Sequence, residues 1–432
     1  MIMSQNHTGL IFFPAFDWAI SPTHPERQER LLYTRDQLLE EGVFDLPYIH
    51  EYKPEIAADA DILRAHFCIP TVERVITPSH RVAAGGAVKA ARLVMDGICD
   101  KSFAIVRPPG HHAMKVVNGN RGFCSINNEA VMIEVLRDHY DVQKIAVVDT
   151  DCHHGDGTQD IYWHDPDVLF ISMHQDGRTI FPGSGFADET GGPMARGRTL
   201  NLPLPPGTSD EGVLWLVDEV VLPVLKDFQP DLIINSAGQD NHFSDPITHM
   251  AMSALGYAQL NEKLNPDICV LEGGYSIQSA LPYMNLGIIL AMAGYDYSGI
   301  KEPGYESGTW RQDDRIMKTI KQLPDQALPV YFDPGDPPHD EGDLVTRDKR
   351  VFYDTEGIME YQTETLRVCG QCRGALMIES ETSRSDQSVC VDIPRRVCPE
   401  CREQAEKWID TERARGEAPV HVMDKSQSRN RD

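Results

Sequence analysis

The stretch VVDTDCHHGDG, residues 147–157, sets three aspartates, two histidines and a cysteine within eleven positions. In extended backbone, residues two apart point the same way. Asp151 and His153 can therefore offer a carboxylate oxygen and an imidazole nitrogen to one ion, while Cys152 between them faces the other side. Two protein ligands hold a metal weakly, and Asp240, closing the run IINSAGQD, is the best third. Three protein ligands beside one open position is the arrangement of catalytic zinc, which polarises carbonyls and activates water.

His111 and His112 follow a Pro-Pro-Gly turn. Adjacent histidines on a loop can straddle a bound water, one as general base and the other as general acid. Each needs a carboxylate behind its far nitrogen to fix the tautomer and raise basicity. Asp149 and Asp156 are spare acids in the right neighbourhood, and His154 reads as a structural neighbour. Tyr275 ends VLEGGY, whose two glycines let the backbone turn sharply and approach a ligand. Its hydroxyl can donate to an oxyanion opposite the metal.

These groups are far apart in the chain, so a fold must gather them. Apolar runs at 10–15, 103–107, 144–149, 168–174, 231–236 and 268–272 predict strands. Several are apolar on both parities, as in parallel strands covered on both faces. Helices are predicted over 79–95, 128–139 and 210–226. Pro223 inside the last predicts a kink or an early end. The alternation predicts an α/β fold over residues 1–322, with a mostly parallel central sheet flanked by helices on both faces. Each chemistry-bearing segment follows a strand, at the carboxyl ends where open α/β sheets bind ligands.

Composition narrows the partners. The formal net charge of -26 over 432 residues excludes direct nucleic acid binding, which needs clustered Lys and Arg, and suits a cationic substrate. No apolar run reaches the ~18–20 residues needed to span a bilayer, and the N-terminus lacks the basic and apolar regions of a secretory signal. Four of the ten cysteines fall in two CxxC pairs, which suits a metal site in a reducing compartment; a cytoplasmic location is expected.

Residues 323–365 are rich in Pro and Asp and predict a linker or covering segment. Residues 366–404 predict a small zinc-ribbon-like module, and 405–432 a charged tail. VCGQC and VCPEC supply Cys369, Cys372, Cys398 and Cys401, with 25 residues between the inner two, for a closed four-thiolate zinc site. ALMIES and SVCVDIP between them can pair as a hairpin, with Cys390 in the core. A segment this short would draw much of its folding energy from the metal. It can dock on the larger domain, mediate oligomerisation or recruit a partner.

Taken in order, RPPGHHA (107–113), GFCSINN (122–128), DTDCHHGDG (149–157), FPGSG (181–185), SAGQD (236–240) and EGGY (272–275) resemble the histone deacetylases. HPERQER (24–30) and AAGGAVKAA (83–91) are similar to that family's N-terminal segment and early helix. The resemblance covers about residues 9–300 and implies the arginase/deacetylase fold. It implies Asp151, His153 and Asp240 as catalytic zinc ligands, and His111 and His112 as the catalytic pair with Asp149 and Asp156 behind them. Tyr275 matches the family's transition-state tyrosine. Phe123 and Phe181, with Gly122 and Gly273, match the walls of a narrow substrate tunnel. Potassium is implied beside the zinc, held by main-chain oxygens around Asp149 and by Ser172 and Met173. The implied activity is hydrolysis of the acetamide of acetyl-lysine or a similar acetylated amine. The rivals are an acetylpolyamine or other small-amide hydrolase of the same fold, a dimanganese ureohydrolase needing more paired acids and histidines, and a non-catalytic acyl-lysine binder.

Overall fold

Most of the apolar runs become neighbours in one sheet. In a computed structural model, which describes residues 5–12, 21, 23–306, 311–335, 339–384 and 386–427, ten strands precede residue 272. They are β1 (Thr8–Phe12), β2 (Ile49–Tyr52), β3 (Phe67–Cys68), β4 (Lys101–Ile105), β5 (Val116–Val117), β6 (Ile145–Asp149), β7 (Val168–Gln175), β8 (Thr199–Leu204), β9 (Leu232–Ala237) and β10 (Ile268–Leu271). Eight form a wholly parallel sheet in the order β2-β1-β4-β10-β9-β6-β7-β8, and β3 pairs with β5 apart from it. The first predicted strand starts earlier than expected, and its residues 13–15 lie outside the described residues.

Alternate residues of each central strand enter different cores. Phe103, Ile105, Ala146 and Val148 pack on one face, whereas Ala104, Ile145 and Val147 pack on the other. This is why the strands read as continuously apolar. The helix Pro78–Met95 packs on one face and the helix Asn128–His139 lies against it. The Asn127 side chain caps the second by accepting the Ala130 N–H at 2.8 Å. The helix predicted to kink or end early at Pro223 runs on from Asp210 to Phe228, through a π-turn at Val217–Val221. Proline cannot donate the usual i→i−4 bond, and the widened turn just before it accommodates that loss without ending the helix.

The C-terminal quarter holds the expected hairpin between the two cysteine pairs but differs from the expected linker and tail. β11 (Leu344–Tyr353), β12 (Ile358–Arg367), β13 (Leu376–Thr382), β14 (Gln387–Ile393) and β15 (Val420–Asp424) form a second sheet in chain order. All pairs are antiparallel except β14 with β15. Much of the presumed linker is thus ordered sheet, preceded by a helix at Leu323–Phe332. Charged Arg347 and Lys349 on the inward parity of β11, with apolar Leu344 and Phe352 on its exposed parity, hid the period-two pattern. The presumed tail is a helix, Pro399–Arg415, whose narrow buried stripe of Cys401, Ala405, Trp408 and Ile409 is diluted by charge, and then β15. Residues 428–432 of that tail lie outside the described residues.

The second sheet docks on the first domain. Leu366, Leu376, Ile378, Cys390 and Met423 share a core with Phe67, Ile69 and Val116. Around it, Lys115 pairs with Asp392 at 3.1 Å, Arg395 with Asp138 at 3.0 Å, and Lys349 with Asp160. Ion pairs this buried fix one docking geometry more than they add stability. Among the described residues, no helix is long and apolar enough to cross a membrane.

Candidate active site

Four strands that are consecutive in the sheet, β4-β10-β9-β6, end side by side. Each hands the chain to one of the chemistry-bearing segments: Arg107–His112, Glu272–Tyr275, Gly238–Asp240 and Thr150–Asp156. Their side chains converge because parallel strands put all their carboxyl ends on one rim.

Asp151, His153 and Asp240 each offer a ligand atom within 4.8 Å of the others. His153 Nδ1 lies 2.8 Å from Asp240 Oδ2 and 3.1 Å from Asp151 Oδ1. The other carboxylate oxygens are tied to backbone: Gly273 N–H donates to Asp151 Oδ2 at 2.8 Å, and Cys152 N–H to Asp240 Oδ1 at 2.7 Å. A Cβ at Gly273 would stand 2.4 Å from Asp240 Oδ2 and 2.6 Å from Asp151 Oδ2, so only glycine leaves this cradle open. Burial disfavours a charged His153, yet Asp240 and Asp151 outweigh it and push its pKa up to about 10. Two fully buried carboxylates create a demand for positive charge here, which a divalent cation bound by these oxygen and nitrogen donors would meet. Cys152 turns away into the core, where its thiol lies 3.7 Å from Gln175 Oε1.

The two neighbouring histidines face different electrostatics. His111 Nδ1 is 3.0 Å from Asp149 Oδ2, and His112 Nδ1 is 2.8 Å from Asp156 Oδ1. Burial opposes charge on His111, but Asp151 and Asp149 overcome it and raise its pKa well above the usual value. Burial also opposes charge on His112, and the adjacent His111 adds to it, leaving His112 at about 3. Asp156 favours the charged form but is outweighed; it also accepts from Arg121 Nε at 3.0 Å. The surroundings thus favour charge on His111 and disfavour it on His112.

Tyr275 is buried, which pushes its phenol well above the ordinary value and keeps it a donor. Its ring meets Phe123 edge-on at 5.5 Å, and Phe181 meets His112 edge-on at 5.0 Å. Gly122, at φ +50°, stands where a Cβ would lie 2.5 Å from His112 Cδ2 and 2.7 Å from Phe181 Cε1. These aromatic rings therefore lie around the histidine pair. Ser172 sits on β7 opposite Asp149 in register and shares a 2.8 Å hydrogen bond with His174 Nδ1; the Met173 side chain is in the core. His154 is held by Ser184 and Gln159.

Several supporting groups escaped sequence reasoning. Glu272 accepts the N–H groups of Gly110 (2.6 Å) and His111 (3.0 Å), holding the double-histidine loop. Arg30 donates to the carbonyls of Gly274 (2.9 Å) and Glu272 (2.6 Å), and its guanidinium lies 5.0 Å from the Tyr275 ring centre. Asp245 accepts the Tyr275 N–H at 2.8 Å. Glu272 and Arg30 stood inside quoted motifs, but nothing in their spacing announced these bonds. Arg121 gave no signal at all.

The four cysteines of the second sheet also converge. Cys369 Sγ is 3.6 Å from Cys372 Sγ and 3.7 Å from Cys398 Sγ, and all four sulfurs lie within 4.8 Å of one another. A disulfide needs about 2.05 Å. A tetrahedron with metal–sulfur bonds of about 2.3 Å has sulfur–sulfur edges of roughly 3.8 Å. The observed spacing matches the tetrahedron.

The chain is similar to known proteins. The histone deacetylase domain model matches residues 68–286. A probable deacetylase of Archaeoglobus fulgidus is 42% identical over 349 residues, covering 73% of this chain and 94% of the relative. An acetylpolyamine amidohydrolase of Burkholderia pseudomallei is 38% identical over 202 residues, 46% of this chain and 58% of the relative. The crystal structure of the HDA15 HD domain matches with a TM-score of 0.64 at 26% identity, over 76% of this chain and 96% of that one. The chain belongs to the histone deacetylase family and is a hydrolase acting on amides.

Proposed function

We propose that the chain is a zinc-dependent deacetylase that hydrolyses the acetamide of acetyl-lysine or a similar acetylated amine. The observation that carries this reading is the trio Asp151, His153 and Asp240 set directly beside the unequal pair His111 and His112. Zinc held by the trio would polarise the acetamide carbonyl and acidify the attacking water. His112, neutral and oriented by Asp156, takes the water's proton. Tyr275 donates its phenolic hydrogen to the carbonyl oxygen as that oxygen gains charge. His111, backed by Asp149, gives a proton to the departing amine nitrogen. Water and amide are consumed, acetate and the protonated amine result, and the proton taken up by His112 restores the one given by His111. Phe123 and Phe181 favour a slender acyl-amine stem over a bulky one.

Among the described residues, the acid and histidine donors gather into one metal trio, which favours one catalytic metal over a dimanganese ureohydrolase. The similarity to an acetylpolyamine amidohydrolase and the net charge of -26 also support small cationic acetylated amines as substrates. Turnover of a panel of acetyl-lysine peptides and acetylpolyamines tests the reading; release of acetate from none of them would reject it.

The four-cysteine cluster would hold a second, structural zinc. Purified chain is then expected to carry two zinc ions by elemental mass spectrometry. Cys398→Ser should carry one and melt about 10 °C or more lower, because metal binding is folding energy for such a site. An unchanged zinc content in that variant would reject the cluster as a metal site.

A further inference from the structure

The tip of the β11–β12 hairpin reaches back to the loop 119–123, which bears one aromatic wall and Arg121. Five consecutive residues of the tip supply four hydrogen bonds. The Phe352 carbonyl accepts from Arg121 Nη1 (2.6 Å), Asp354 Oδ1 from the Gly122 N–H (2.8 Å), and Glu356 Oε2 from the Asn120 N–H (2.8 Å). The Thr355 hydroxyl donates to Asn120 Oδ1 (3.0 Å). The approach is close: a Cβ at Gly119 would stand 2.5 Å from Glu356 Oε2.

What this loop carries explains why it must be held. Phe123 sits at φ +71°, a backbone region that non-glycine residues leave unless their surroundings fix them. Arg121 is mostly buried and works in three directions at once. It bonds Asp156, which in turn orients His112; it lies over the Phe181 ring at 5.1 Å; and it is anchored by the Phe352 carbonyl. One loop thus sets both an aromatic wall and the orientation of the base, and the remote sheet grips that loop at the Asn120 and Gly122 N–H groups and at the Asn120 and Arg121 side chains.

We propose that the hairpin tip Phe352–Glu356 is a positioning clamp for the active site, with Asp354 setting the Gly122–Phe123 wall and the Phe352 carbonyl setting the Arg121–Asp156–His112 chain. What the kinetics below report rests on the proposed function; the clamp itself does not. Asp354 is the positioning residue best suited to a test, because it is exposed and its loss leaves the core intact. The geometry asks only for an acceptor at this position, so asparagine should serve where alanine does not.

The test compares full-length wild type, Asp354→Ala, Asp354→Asn and Asp354→Ala/Glu356→Ala by hydrogen–deuterium exchange over residues 118–124 and by steady-state kinetics on the best acetylated amine. In Asp354→Ala, exchange of this segment should quicken about tenfold and KM rise about fivefold, with kcat within about twofold of wild type. In the double variant the seat of Arg121 loosens, and kcat falls as well. Asp354→Asn should restore both readouts toward wild type. Wild-type exchange in Asp354→Ala overturns the clamp. Faster exchange with unchanged KM and kcat overturns its service to the active site. If wild type hydrolyses no acetylated amine, the function reading fails and exchange alone decides the clamp.

Discussion

Tyr275→Phe is expected to keep its full zinc content and lose about 10²–10³-fold in kcat. The substitution removes one hydroxyl and nothing else. The ring stays between Phe123 and Arg30, and the Tyr275 N–H still donates to Asp245, so wall and loop are preserved. What disappears is a donor aimed at charge that develops only as the carbonyl is attacked. Such a bond lowers the barrier without tightening substrate binding, so KM should move little. The phenol is not needed as a base, since burial holds its pKa well above the ordinary range. Matched kcat in wild type and variant would remove Tyr275 from the mechanism.

Asp240→Ala should fall from two zinc ions per chain to one and lose measurable turnover. Asp240 contributes one of the three donors, and it also buttresses the other two. Its Oδ2 faces His153 at 2.8 Å while its Oδ1 receives the Cys152 N–H, which fixes the turn between Asp151 and His153. Alanine therefore removes a ligand and leaves a buried N–H unpaired, a loss of about 1–3 kcal/mol. The melting point should drop modestly, while the four-cysteine site keeps its own metal. Two zinc ions retained in this variant would mean that the trio is not the metal site.

The sequence was most legible where chemistry and geometry share a short period. Asp151 and His153 lie two residues apart, the spacing that turns side chains one way in extended backbone, and they still meet although residues 151–153 form a bend. The partners of His111 and His112 were not readable from spacing: Asp149 and Asp156 stood as two spare acids, and only the resemblance ordered them. Arg121 could not be found, because its importance comes from a ring, a carboxylate and a carbonyl that meet it only in the fold. The central strands were visible because both their faces are buried. β11 was not, since charged Arg347 and Lys349 stand on its inward parity, which is only half buried along most of its length, while Leu344 and Phe352 stand on the exposed one. The helix Pro399–Arg415 hid in the same way behind a buried stripe of four residues.

All ten cysteines are buried, and the six outside the cluster are packed in the cores or, like Cys152 and Cys124, held as thiols by their surroundings. The folded, metal-loaded chain should therefore be almost silent toward a thiol-reactive dye. Labelling would begin only when the four-cysteine site lets go of its ion or the chain opens. The protein thus carries its own optical gauge of integrity, readable in a cuvette without any added tag.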